Sequence, residues 1–127
     1  MPHARGFTIV EAVVASAIVI TALASLTQLA VATRQATSAA RARSTATLLA
    51  VDKMEELRSA PSLAPSPPDA LDRDVDAFSD RIVGFTRRWW VQPLPWNPAG
   101  GLVVQVRVLA AHGVDARLVS VRAARAD

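Results

Sequence analysis

A single carboxylate, Glu11, stands at the start of an otherwise uncharged hydrophobic run that continues to Thr33. It lies five residues beyond Gly6, in the segment Gly6-Phe7-Thr8-Ile9-Val10-Glu11. A charge inside a membrane span costs about 2.5–3.5 kcal/mol even on the lenient insertion scale. A segment that only anchors or secretes a chain does not need this charge. Glu11 therefore indicates a partner inside the bilayer or inside a hydrophobic assembly.

The other titratable residues form no catalytic constellation. The two histidines are His3, which precedes Gly6, and His112, which falls in a predicted surface turn. Cysteine is absent, and no hydroxyl nucleophile stands in a recognisable setting beside a base. We therefore predict a protein that is not an enzyme, with no catalytic residue, no metal and no cofactor.

An acidic segment between Asp69 and Asp80 contains Asp72-x-Asp74-x-Asp76, which imitates the first three ligand positions of a calcium loop. Ala77 stands where such a loop has its central glycine, and Val83 stands where it has its closing glutamate. A solvated loop of charged residues is the favoured interpretation, and calcium binding is the alternative that stays open.

An aromatic and basic cluster supplies a candidate interaction surface, which consists of Arg87, Arg88, Trp90 and Trp96. Trp and Arg dominate interface hot spots, and cations stacked on indoles can grip a nucleic-acid strand. The favoured alternative is that Trp89 packs on a helix while its neighbours cover a sheet edge or contact another subunit. The formal net charge of +3 comes from short, scattered groups rather than a basic stripe, so nucleic acid is not an expected partner.

The uncharged stretch 12–33 is long enough to cross a membrane, because about 22 residues of helix rise about 33 Å. The positive-inside rule alone would put the C-terminal side in the cytoplasm, since three arginines follow the stretch at positions 34, 41 and 43. A cleaved signal peptide is another interpretation, with cleavage after Ala24 or Ala32. Glu11 would interrupt its apolar region, which argues against it.

The helical pattern continues beyond the apolar stretch, since no Gly or Pro occurs between Thr33 and Ser59. Apolar residues recur there at three- and four-residue spacing and predict an amphipathic helix that Pro61 ends: Ala39, Ala42, Ala46, Leu49, Ala50, Met54 and Leu57. The whole helix would be about 80 Å long. A proline-rich connector follows it.

Three segments alternate like half-buried strands: Ile82–Val91, Leu102–Leu109 and Arg117–Ala123. The predicted inward faces carry Phe85, Trp89 and Val91 in the first, Val104, Val106 and Val108 in the second, and Val119 and Val121 in the third. We predict an α+β fold in which a long N-terminal helix, membrane-spanning in its first half and amphipathic in its second, packs on a small three-stranded antiparallel sheet. With 127 residues and no cysteine, one small domain must be held by packing alone.

The N-terminal segment resembles the class III leader of type IV pilins and type II secretion pseudopilins. The matching residues are a short basic leader that ends at Gly6, then Phe7, Thr8, Glu11 and the apolar helix from Ala12. The resemblance implies that a prepilin peptidase cuts between Gly6 and Phe7 and that the new terminal amine of Phe7 is methylated. It also implies that Glu11 pairs with the terminal amine of a neighbouring subunit during assembly.

The end of the helix, Ala50–Arg58, resembles minor pilins of the pilus-modification (V-type) group. The resemblance implies a minor pilin of a type IV pilus; a type II secretion minor pseudopilin is the alternative, and a competence-type DNA-binding minor pilin is a more remote one. It further implies an inner-membrane, single-pass chain with an exported C-terminal domain that then enters a pilus or periplasmic pseudopilus. The implied partners are prepilin peptidase, other pilins or pseudopilins, the inner-membrane assembly platform and membrane lipid.

The resulting predicted organisation has five parts. They are a leader peptide 1–6, a transmembrane and assembly half of the helix 7–33, an amphipathic half 34–60, a Pro/Asp-rich connector 61–81 and an antiparallel β-sheet 82–127.

Overall fold

A computed structural model of the chain describes Gly6 and residues 8–125. One helix precedes four strands: α1 (Ile9–Ser59), β1 (Ser79–Ile82), β2 (Phe85–Leu94), β3 (Asn97–Ala110) and β4 (Val114–Ala123). The predicted α+β class, with a long N-terminal helix packed on a small antiparallel sheet, is confirmed. The chain divides into two compact units, Met1–Ser38 and Ala39–Asp127, and α1 contributes to both.

The part of α1 in the first unit is exposed at every residue from Ile9 to Ser38. It is long and apolar enough to cross a membrane. Its side-chain hydroxyls donate hydrogen bonds to the carbonyl four residues earlier, at 2.7–2.9 Å, from Ser16, Thr21, Ser25, Thr27 and Thr33. These polar groups are thus satisfied within the helix itself, as an environment without water requires.

The sheet has the order β1-β2-β3-β4 with antiparallel neighbours, so the predicted count of three strands was wrong. The predicted strand Ile82–Val91 is divided by a two-residue turn, because Ile82 pairs directly with Phe85. Both turn residues have positive φ, +26° at Val83 and +80° at Gly84, as a tight hairpin between right-twisted strands requires. The glycine inside the alternating pattern marks this turn.

The core of the second unit lies between the C-terminal half of α1 and one face of the sheet. The predicted helix stripe is confirmed, with Ala46, Ala50, Met54 and Leu57 buried and Ala42 and Leu49 partly buried. Opposite it, the predicted inward residues of β3 are at most 1% exposed: Val104, Val106 and Val108. Each such valine contributes about 1.5–3 kcal/mol through the burial of its side chain.

The predicted inward face of β4 was wrong, since Val119 and Val121 are 65% and 54% exposed. The β3–β4 turn places Val114 opposite Ala110, and Val114 is buried in the core. Alternation from Val114 then turns Ala116 and Leu118 toward the helix. A shift of one residue moves every side chain of a strand to the other face, and the sequence pattern was assigned in the wrong phase.

Arg122 fastens the end of β4 to the end of α1. Its Nη1 donates to the carbonyl of Leu57 at 3.2 Å, and its Nη2 donates to the carbonyl of Ala60. The last carbonyls of a helix have no partner within the helix, and a cation there also complements the helix dipole. Arg122 therefore fixes where the sheet sits on the amphipathic half of α1.

Candidate functional site

The predicted processing site is only partly within the described residues. Gly6 is exposed, and an added Cβ there would meet no atom of the described residues within 4 Å. Phe7, the predicted first mature residue and methylation site, lies outside the described residues.

Glu11 closes a capping box at the start of α1. The backbone N–H of Thr8 donates to Glu11 Oε2 at 3.3 Å, and the backbone N–H of Glu11 donates to Thr8 Oγ1 at 3.2 Å. The two residues thereby satisfy N–H groups that have no partner within the helix. The Thr-x-x-Glu spacing is the sequence signal for this arrangement, and the predictions above do not include it. Glu11 is exposed, so it remains accessible to a further partner.

A buried arginine forms ion pairs with a neighbouring strand and with the helix. Arg87 on β2 is 6% exposed and binds both oxygens of Asp80 on β1, with Nε–Oδ1 and Nη2–Oδ2 distances of 2.7 and 2.6 Å. Its Nη1 also lies 3.5 Å from Asp52 Oδ2 on α1. A bidentate Arg–carboxylate pair needs both N–H groups aligned with both oxygens, so it fixes the register of β1 against β2.

Lys53 is buried beside this pair, at 6% exposure. Its Nζ lies 3.8 Å from the ring centroid of Trp89 and 2.9 Å from Glu56 Oε1. A desolvated cation over an indole contributes up to about 2 kcal/mol. Trp89 itself is 8% exposed, so its predicted packing against the helix is confirmed. The apolar pattern of the helix predicted the burial of the ring, but it gave no signal for a buried lysine, because only apolar residues define the stripe.

The opposite face of the sheet carries a row of three cross-strand arginines, since Arg88 pairs with Arg107 and Arg107 pairs with Arg117. Like charges placed directly opposite each other destabilise a sheet. Three aspartates compensate them: Asp74 binds Arg88 at 2.9 Å, Asp72 binds Arg107 at 3.3 Å, and Asp115 binds Arg107 at 2.9 Å. The acidic segment is thus tied to the sheet.

The four residues of the candidate interaction surface do not form one surface. Arg87 is buried toward the helix, whereas Arg88 and Trp90 lie on the opposite face and are partly exposed. Trp96 lies in the β2–β3 turn and is 78% exposed. The structure therefore brings Arg88 and Trp90 to one face and places Arg87 elsewhere.

The ion pairs predict how stability depends on pH. The Arg87 hydrogen bond lowers the pKa of Asp80, Arg81 and Arg88 lower the pKa of Asp74, and Arg107 lowers the pKa of Asp115. A carboxyl whose pKa is lower in the folded state adds stability above its unfolded pKa of about 3.9 and loses it as pH falls through the folded value. The melting temperature of residues 39–127 should therefore fall steeply below about pH 4.

Asp80→Asn should lower the melting temperature at neutral pH, because Arg87 then loses a charged partner. It should also reduce the fall in melting temperature below about pH 4. Glu55→Gln is the matched control, since Glu55 is exposed and forms no ion pair among the described residues. Circular dichroism melts between pH 2.5 and 7 would measure both. If the melting temperature of Asp80→Asn falls at acid pH as steeply as that of the wild type, the role given to the Arg87–Asp80 pair is contradicted.

Among residues 6 and 8–125 as described, no group of three or more His, Cys, Asp or Glu is placed to hold a metal ion. Asp72 and Asp74 of the calcium-like pattern are engaged by arginines. His112 lies exposed in the turn between β3 and β4, as predicted, with a left-handed backbone at φ +62°.

The fold and these sites define a class of α+β chain. Its N-terminal helix is long and apolar enough to cross a membrane, and the carboxylate of Glu11 caps the start of that helix. Comparison with protein-family models, curated proteins and solved structures finds no match to this chain.

Proposed function

We propose that this chain is a minor pilin, a structural subunit of a type IV pilus that prepilin peptidase processes and that assembles through its N-terminal helix. A type II secretion minor pseudopilin has the same architecture and is the alternative. In both, the chain starts in the inner membrane with its C-terminal domain exported, and the assembly platform draws it into a filament with other subunits.

The observation that carries the proposal is the N-terminal end of α1. Gly6 is exposed, and Glu11, five residues later, caps the start of α1 with its carboxylate. The apolar helix is exposed at every residue from Ile9 to Ser38. An apolar helix that is exposed along its described length needs lipid or other helices to cover it. A carboxylate at its start needs a countercharge once water is excluded, and the terminal amine of a processed neighbour supplies one.

The second unit supports a structural role. Several of its charged residues form ion pairs that join strand to strand and helix to sheet, such as Arg87 with Asp80 and Arg107 with Asp115. They serve to hold a small domain without disulfides, which is what a filament subunit must carry on its assembly helix.

Processing tests the proposal directly. Co-expression of the full chain with a prepilin peptidase should give a mature chain that begins at methylated Phe7, as read by intact-mass and N-terminal peptide mass spectrometry. Gly6→Leu should leave the precursor uncut in the membrane, because a bulky side chain would stand at the scissile bond. Ala17→Leu adds the same side chain at an exposed position of α1 away from the scissile bond, and it should be cut as the wild type. A mature chain that starts after Ala24 or Ala32 would reject the proposal in favour of a signal peptide.

A further inference from the structure

The two edges of the sheet differ in how far other parts of the chain cover them. On one side the edge strand β1 is only four residues long. The rest of the β2 edge is covered by the connector: Ser66 N–H donates to Val91 O at 2.9 Å, and Trp89 N–H donates to Phe78 O at 3.0 Å. Short or covered edges are how proteins avoid unwanted strand pairing. The opposite edge, β4, has ten residues in unbroken register with β3 and contains no proline or bulge.

The register shows which backbone groups β4 leaves free. Ala124 N–H donates to Gly100 O at 3.0 Å, so residues 100 and 124 form a hydrogen-bonded pair. Hydrogen-bonded and non-hydrogen-bonded pairs alternate along an antiparallel ladder. Even-numbered residues of β4 therefore bond to β3, and Arg117, Val119 and Val121 direct their N–H and C=O groups outward. Within the described part of the chain, no other element forms a backbone hydrogen bond to this edge.

The side chains along this edge are apolar on the outer face of the sheet. Val119 and Val121 are the exposed pair, and their cross-strand partners on β3 are Gln105 and Val103. The next position across the sheet from Gln105 is Trp90. A long edge strand without proline or bulge, with exposed apolar residues at positions 119 and 121, is suited to the addition of another strand to the sheet.

The charge around the edge is positive. Arg117 is 58% exposed, Arg125 follows the strand and is exposed, and Arg43 of α1 lines the groove beside residues 114–118. The strand has one carboxylate, Asp115, which is shared between Arg107 and Arg117 at 2.9 and 3.4 Å. The acidic residues 72, 74 and 80 bind arginines of the sheet's other strands.

We propose that β4 is a docking edge that takes an acidic, extended segment of a partner protein as a fifth strand. The outward N–H and C=O groups of Arg117, Val119 and Val121 pair with the partner's backbone. Apolar side chains of the partner cover Val119 and Val121, and its carboxylates meet Arg117, Arg125 and Arg43. This inference rests on the sheet and does not depend on the proposed role of the N-terminal helix.

The test uses the full chain in phosphatidylcholine nanodiscs, whose lipid carries no net charge. The probe is a fluorescent eight-residue peptide of alternating glutamate and valine, with a lysine–valine peptide as its counterpart. Fluorescence anisotropy should show binding of the acidic peptide and not of the basic one. Amide hydrogen exchange should slow at 117, 119 and 121 when the acidic peptide is added.

Val119→Pro removes one outward N–H and leaves the β3 ladder intact, so it should weaken binding by at least about fivefold. Val119→Thr keeps that N–H and should bind within about twofold of the wild type. Arg117→Glu should weaken binding by at least about fivefold at low salt. Arg81→Glu makes the same charge change on β1, the opposite edge, and should bind as the wild type.

Four results would overturn the proposal. These are no binding of the acidic peptide, equal binding of the basic peptide, wild-type binding by Val119→Pro, and edge amides already protected at rising protein concentration without peptide, which would assign the edge to a second copy. Melting curves check that Val119→Pro folds. If it does not fold, the comparison of Arg117→Glu with Arg81→Glu decides.

Discussion

Trp89→Ala is expected to destabilise the sheet unit by about 3–5 kcal/mol, the usual cost of deleting a buried aromatic side chain. Trp89 is 8% exposed and lies in the cluster that joins α1 to the sheet. Its removal also strips Lys53 of the ring that its ammonium faces at 3.8 Å. In a domain of this size, each 1 kcal/mol lowers the melting temperature by about 4–8 °C, so a fall of at least about 12 °C should follow.

Thermal melts of residues 39–127, the unit that is compact by itself, would measure this effect. Trp96→Ala is the matched control, because Trp96 is 78% exposed in a turn and should change stability by less than about 0.5 kcal/mol. Equal melting temperatures for the two variants would reject Trp89 as the ring that anchors the sheet.

A double-mutant cycle separates the cation from the packing. Lys53→Met keeps most of the side-chain volume and removes the charge over the ring. The coupling between Lys53→Met and Trp89→Ala should be about 0.5–2 kcal/mol, the range for a desolvated cation–π pair. A coupling near zero would mean that Trp89 stabilises the domain by burial alone.

The elements that sequence patterns predicted well are those with one long, uniform period. The helix stripe from Ala46 to Leu57 and the alternation of Val104, Val106 and Val108 each repeat over several turns or residues. Both patterns face a single buried surface, so the period and the burial agree. The end of α1 at Ser59 follows from Pro61, which excludes helical backbone just before it.

The errors arose where a pattern could be fitted in two ways. In β4, the prediction placed Val119 and Val121 inward because valine favours strands, and it therefore placed Leu118 outward. The inward phase is in fact set by Val114 and by the length of the turn before it. Between β1 and β2, Gly84 lies in an otherwise alternating run, and the positive φ of Val83 and Gly84 forms the turn that separates the two strands. Turn geometry, rather than hydrophobicity, decides such cases.

The ion pairs could not be predicted from sequence spacing. Arg87 meets Asp80 only because a hairpin folds β1 onto β2, and it meets Asp52 only because the sheet packs on α1. Arg107 and Asp72 are 35 positions apart in the chain. Pairing of this kind depends on strand register, which is itself an outcome of folding.

If the chain is the pilin proposed above, Glu11→Ala should reduce its incorporation into filaments by at least about tenfold, while insertion and processing continue. Removing a charge makes the apolar segment easier to insert. During assembly, however, the terminal amine of a neighbour, or the chain's own Phe7 amine, would enter an apolar surrounding without its carboxylate. An uncompensated buried charge costs about 3–5 kcal/mol, which exceeds the equivalent of a tenfold change.

Glu11→Gln separates the charge from the cap. A glutamine at this position can still accept the Thr8 N–H hydrogen bond that Glu11 accepts at 3.3 Å, so it keeps the capping box. It cannot neutralise an amine, so it should be incorporated as poorly as Glu11→Ala; Glu11→Asp, one methylene shorter, should be intermediate. Filaments purified from cells that carry each variant, blotted for this subunit against its level in the membrane, provide the measurement. If Glu11→Gln is incorporated as well as the wild type, Glu11 acts only as a helix cap. If Glu11→Ala is incorporated as well as the wild type, Glu11 has no role in assembly.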